Sequence, residues 1–253
     1  MSDESEEQWE VYPGRVSDDF AMFAVNLAPQ PDAPFDNLRW LNIIRLGFES
    51  STNGMPDGET NAFLYEVEDM LSAKAGARGA IHVGRLTLAG RRELFFYAAT
   101  NDADLMLSVV QEEFGDELDV DALGQLDPEW KVYLDFLYPS PLDFQRIHNQ
   151  RVVRLLGENG DNPAIPRQVD HTAVFPTNES LRTFMREIAD NGFAIDETVE
   201  GDDGELRFRL MFSNESPTDL GTIDRLTIGL FVRIEELGGM YDGWGCPIAT
   251  DDE

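Results

Sequence analysis

The sequence predicts an α+β protein of two ferredoxin-like domains, each a βαββαβ run on an antiparallel sheet, the first with an extra N-terminal strand. Three observations carry this. Short β-branched and aromatic runs alternate with amphipathic helices in the same order twice along the chain. Clusters of loop residues at Pro139-Ser-Pro141 and at Gly157-Glu-Asn-Gly-Asp-Asn-Pro163 separate the two runs. The 253 residues, 42% hydrophobic and 10% aromatic, suffice for two cores of ordinary size.

Taken in order, the run from Phe20 to Leu27 reads as the extra strand, and Ala28-Pro-Gln-Pro-Asp-Ala-Pro34 as a turn region. Trp40 to Phe48 is the next strand. A helix near 59–75 follows, with Phe63, Val67, Met70 and Leu71 on one stripe. Ala80–Leu88 and Arg92–Ala99 pair as a hairpin about Ala89-Gly90. Asn101 and Asp102 cap a helix to about Phe114, and Trp130–Leu137 supplies the last strand. Residues 142–157 have helical character, so the expected layout is a domain over 1–140, a helical linker over 141–165 and a domain over 166–253.

The second run begins with the strand His171–Phe175. Asn178 caps a helix over roughly 179–191, which Gly192 ends. Phe193–Val199 and Leu206–Phe212 are strands about a Gly- and Asp-rich turn at 200–204. Leu206, Phe208, Leu210 and Phe212 share one face, and Arg207 and Arg209 the other. A helix over about 219–237 ends at Gly238-Gly239, and Met240-Tyr241 opens a short final strand. No residue-level repeat relates the two runs.

Charge is the most informative bulk property: 49 acidic against 19 basic side chains give a net charge of -30. Up to residue 140 there are 27 acidic and 9 basic residues, and beyond it 22 and 10, so the acidity is spread over both halves. Such a surface repels phosphate backbones and predicts no direct nucleic-acid binding. It suits a basic protein partner, with simple solubility as the alternative reading. No run approaches the roughly 18 apolar residues of a membrane helix. The acidic start lacks signal-peptide character, and the single cysteine, Cys246, excludes an intramolecular disulfide. A cytoplasmic location is expected.

The three histidines, His82, His148 and His171, show no metal-ligand spacing, and no phosphate-cradling glycine loop or nucleophile elbow occurs. No metal, cofactor or catalytic residue is expected. Asp202-Asp203 reads as a turn and not as a calcium loop. The cluster Tyr241-Asp242-Gly243-Trp244 is different. Two aromatic rings beside a carboxylate and flexible backbone can dock a partner, or the rings can fold back and close the sheet.

The stretch Asp170-His171-Thr-Ala-Val-Phe175, the Gly192-Phe193 pair and the ending Glu236-Leu-Gly-Gly-Met-Tyr-Asp-Gly-Trp-Gly245 resemble the regulator of ribonuclease E activity B (RraB) family. The resemblance spans about 168–248, and its specific part is the ending. It implies a compact α+β module that binds ribonuclease E and lowers its activity without cutting RNA. With the charge distribution favouring docking, partner binding is expected on Asp170, His171, Tyr241, Asp242, Gly243 and Trp244. Cys246-Pro247 and the large N-terminal domain depart from the simplest members. The N-terminal half, with Trp9-x-x-Tyr12, its Leu-Arg-Trp strand and its Phe-Tyr strand, resembles the bacterial domain of unknown function six-nine-five. Together these imply a non-catalytic inhibitor of RNA processing that holds an Arg-rich segment of ribonuclease E. The rivals are an enzyme or small-molecule binder acting in an inter-domain cleft, and a scaffold unrelated to RNA decay.

Overall fold

The computed structural model describes residues 7–50, 52–115, 118–201 and 206–251; the acidic start and the turn at Asp202-Asp203 lie outside them. The chain forms two compact units, Met1–Pro139 and Ser140–Glu253, each with its own antiparallel sheet.

The first unit contains β1 (Trp9–Val16), β2 (Asp19–Asn26), β3 (Trp40–Gly47), α1 (Gly58–Gly76), β4 (Ile81–Leu88), β5 (Arg91–Ala98), α2 (Ala103–Phe114) and β6 (Val120–Leu126). Its sheet runs β1-β2-β4-β5-β3-β6. The segment β6-β3-β5-β4 has the ferredoxin-like order, and the β1–β2 hairpin widens it beyond β4. So two strands, not one, precede the βαββαβ run. The β4–β5 hairpin turns on Ala89 and Gly90, both at positive φ (46° and 76°), as a two-residue primed turn requires.

One expected element is corrected. Trp130–Leu137 is not a strand: Val132–Leu137 is helical, and the last strand of the unit is β6. The Asp127 carboxylate accepts the backbone N–H groups of Lys131 (3.1 Å) and Val132 (3.0 Å), which turns the chain into a helical start. Trp130, Tyr133 and Leu137 are then buried at i, i+3 and i+7, a helical and not a strand period. They cover the sheet face opposite α1 and α2. Tyr97 stacks on Trp130 at 4.0 Å, and the Trp130 indole donates to the Leu38 carbonyl at 2.7 Å. With both faces covered, β5 is buried from Arg92 through Ala98. The helix-side core centres on Leu64, Val67 and Leu71 of α1, with Phe63 and Met70 at its margin.

The second unit contains α3 (Pro141–Glu158), β7 (Arg167–Phe175), α4 (Asn178–Asp190), β8 (Ala194–Glu200), β9 (Phe208–Ser216), α5 (Leu220–Glu236) and β10 (Met240–Gly245). Its sheet order β10-β7-β9-β8 is again ferredoxin-like. The cap of α4 is Thr177, whose hydroxyl accepts from Ser180 N at 3.1 Å, one residue before the expected Asn178. Gly192 and Gly238 end α4 and α5 at positive φ (86° and 72°). The helix α3, in the segment expected as a linker, carries a Ser140–Asp143 capping box and packs on α5. Val152, Val153 and Leu156 of α3 lie against the core formed by Val169, Phe175, Phe184, Leu210, Phe212 and Ile234.

Candidate functional site

The last strand decides how the second unit closes. Strand neighbours at i and i+3 normally face opposite sides of a sheet. Here Tyr241 pairs with Ala173 and Trp244 with His171, because a bulge between Tyr241 and Gly243 takes up one residue. Both rings therefore point to the helix side. Gly243 sits at φ 113°, and a Cβ there would lie 3.4 Å from His148 Nε2. Gly239 is needed for close approach: its Cβ would lie 2.7 Å from the Val174 carbonyl oxygen.

On that inner side, Tyr241 (7% exposed), Trp244 (8%) and His171 (1%) are buried together. His171 Nε2 lies 2.9 Å from Asn214 Oδ1, and Nδ1 lies 2.7 Å from the Tyr241 hydroxyl. Since the amide oxygen only accepts, Nε2 carries the proton and Nδ1 accepts from the tyrosine. Burial lowers the His171 pKa and raises that of Tyr241, so both stay neutral. The Trp244 indole donates to Asn149 Oδ1 on α3 at 2.8 Å. Asn149 in turn donates to Asp224 (2.7 Å) and Thr227 (2.8 Å) on α5. One buried amide thus ties the last strand to two helices.

The six residues expected at the partner site fall into two sets. His171, Tyr241 and Trp244 face the core and Gly243 forms the bulge. Asp170 and Asp242 lie on the opposite, open face. That face also carries Glu197 of β8, Glu215 and Arg209 of β9, and three exposed apolar side chains, Val199 (44%), Met211 (41%) and Met240 (49%). Arg209 pairs with Asp242 at 3.1 Å. These four carboxylates outnumber Arg209 and, just before β9, Arg207, so the face is acidic, with the apolar side chains Met240 and Val199 in the row of Arg209 and Met211 in the next row. Asn149 and Asn214 were not singled out in the sequence, and nothing local marks them.

His82 is also a packed histidine. Its Nδ1 lies 2.9 Å from the Ser72 hydroxyl and its Nε2 3.1 Å from the Gly84 carbonyl, and burial lowers its pKa to about 3. His148, on α3, has its pKa lowered by burial. Among the described residues no group of three or more His, Cys, Asp or Glu side chains could hold a metal ion. Among them, too, no helix is long and apolar enough to cross a membrane.

Comparison with known families gives two matches. Residues 146–246 match the family described as regulator of ribonuclease activity B, and residues 7–138 match a family of unknown function, DUF695. No curated protein matches the chain. A crystal structure described as an unknown protein from Galdieria sulphuraria is similar to 81% of this chain and 96% of its own, at 12% identity and a TM-score of 0.23. The RraB match runs from within α3 through β10, and the DUF695 match from β1 through the helical segment at 132–137. The chain therefore belongs to the DUF695 family through its first unit and carries a regulator-of-ribonuclease-activity-B domain in its second.

Proposed function

We propose that the chain is a non-catalytic regulator that inhibits RNA processing or decay by docking a basic, Arg-rich protein segment, ribonuclease E being the partner of choice. The observation that carries this is the acidic open face of the second sheet, joined to an RraB match over the same unit. Asp170, Glu197, Glu215 and Asp242 offer carboxylates that guanidinium groups recognise bidentately. Met211 and Met240 on the same face give flexible apolar contact to the stems of long basic side chains. The buried His171–Tyr241–Trp244 cluster serves the site by fixing the strand that presents Asp242, and not by touching the partner.

Competition is the mechanism this reading implies: the face holds a basic segment that RNA would otherwise occupy. Both buried histidines have each ring nitrogen within hydrogen-bonding distance of a protein group, which supports a regulator over an enzyme built on them. The test is capture of purified ribonuclease E by the full chain at low and at high ionic strength. Capture at low salt that fades steeply as salt rises is expected, because contacts between exposed charges are screened. Absence of capture at low salt would contradict the partner assignment.

A further inference from the structure

In a chain with 30 excess negative charges, one cavity of the first unit has the opposite character. It lies where the β1–β2 hairpin extends the sheet past β4, between that extension and α1. Its volume is about 230 Å³. Strand pairing sets Ala24 beside Arg85 and Met22 beside Thr87, and Thr87 beside Arg92, so these side chains share the face that α1 covers. From α1, Asn61, Tyr65 and Glu68 follow at i, i+4 and i+7 on the same side.

Among the described residues, Arg85 and Arg92 are the charged side chains that line the cavity, and no carboxylate does. Their guanidinium carbons stand 4.6 and 5.0 Å from the centre of the Tyr65 ring. Arg85 Nη1 donates to the Glu68 carboxylate at 2.9 Å, and its Nη2 to the Tyr65 hydroxyl at 3.0 Å. Arg92 is 3% exposed; its Nε donates to Thr87 at 3.1 Å and its Nη2 to Asn61 at 2.6 Å. Its Nη1 is buried without a hydrogen-bond acceptor, 3.9 Å from the nearest Glu68 oxygen. One buried carboxylate thus faces two guanidinium groups, an excess positive charge in a place with little water to solvate it. Packing alone does not call for that arrangement. A guanidinium held with a donor unmet is a receptor for a planar oxyanion.

We propose that this cavity is a binding site for a small organic anion, one carrying a carboxylate or phosphate group on a compact, partly apolar body. The two arginines hold the anionic group. Val11, Met22 and Pro56 give the apolar wall, and the Tyr65 ring carries the guanidinium pair. The volume, about 230 Å³, is below the ~300 Å³ at which drug-sized pockets begin, which favours ligands the size of a single substituted ring. This site is independent of the partner face of the second unit.

The test is calorimetric titration of the full chain with benzoate, phenyl phosphate and inorganic phosphate. Saturable binding of benzoate or phenyl phosphate with a Kd below about 1 mM is expected, and the better of the two names the anionic group. Arg85→Met should weaken it at least about tenfold, the loss of one charge-assisted contact. Met22→Trp should abolish it by filling the cavity, and Tyr65→Ala, on an exposed part of α1, should weaken it while circular dichroism stays unchanged. No saturable binding of any probe overturns the proposal. So does binding that survives both Arg85→Met and Met22→Trp, since it then lies elsewhere.

Discussion

The two units share one order of elements and use it in opposite ways. In the first, helices cover one sheet face and the Trp130–Leu137 segment the other, so the central strand is buried on both sides. In the second, the described helices pack on one face, and the central strands β7 and β9 alternate buried and exposed residues over their first turns of pleat as a half-covered sheet does. A common fold therefore leaves different surfaces free. The first unit leaves a small, half-open pocket beside α1, and the second an acidic sheet face, so the same fold presents different chemistry to solvent.

The comparison is broken most forcefully through the aromatic keystones. Trp130→Ala and Trp244→Ala each remove a buried indole and its hydrogen bond, and each should lower stability by about 3–5 kcal/mol. Denaturant unfolding of the full chain followed by circular dichroism measures both. A negligible cost for Trp244→Ala would mean that the ring does not close the second sheet. Gly239→Ala comes next, at about 1–3 kcal/mol, because its Cβ meets the Val174 carbonyl, the Ile234 side chain and the Phe175 ring within 3 Å.

Acid should act on both units through their buried histidines. His82 binds a proton near pH 6.5 when unfolded but only near pH 3 when folded. Between those values the unfolded state holds more protons, so stability falls as pH falls, by about 1.4 kcal/mol per pH unit from this residue. The lowered pKa of His171 has the same sign. Measuring stability from pH 7 to pH 4 checks this, and His82→Gln should flatten the slope. A slope unchanged by that substitution would place the acid sensitivity elsewhere. The smallest effect belongs to the open face: Asp170→Asn should change stability by less than about 0.5 kcal/mol, as an exposed substitution does.

How much of this was legible in the sequence differs by unit. In the second, clean alternation in β9 and glycine-ended helices identified every element, and the Tyr-Asp-Gly-Trp ending marked the family. The same ending did not show which way its rings point. That depends on a single bulged residue, which reverses the parity of all that follows. In the first unit, aromatic and β-branched residues at 130–137 imitate a strand, whereas their helical spacing carried the truth. The strand β6 is nearly hidden, since Asp121, Gly124 and Gln125 weaken its β character at a sheet edge. Pro13 and Gly14 similarly mask β1, where an edge position tolerates them. The links from Asn149 to Asp224, Thr227 and Trp244 join residues 75 to 95 positions apart, beyond any local pattern.

The direct test of the proposed partner face is the affinity of the full chain for purified ribonuclease E, with and without Asp170→Arg and Glu197→Arg together. Both positions are exposed, so the fold should be unaffected. The acidic face predicts at least about tenfold weaker binding for the double variant and a flatter dependence on salt. An unchanged affinity, with tight binding retained by both proteins, would contradict it.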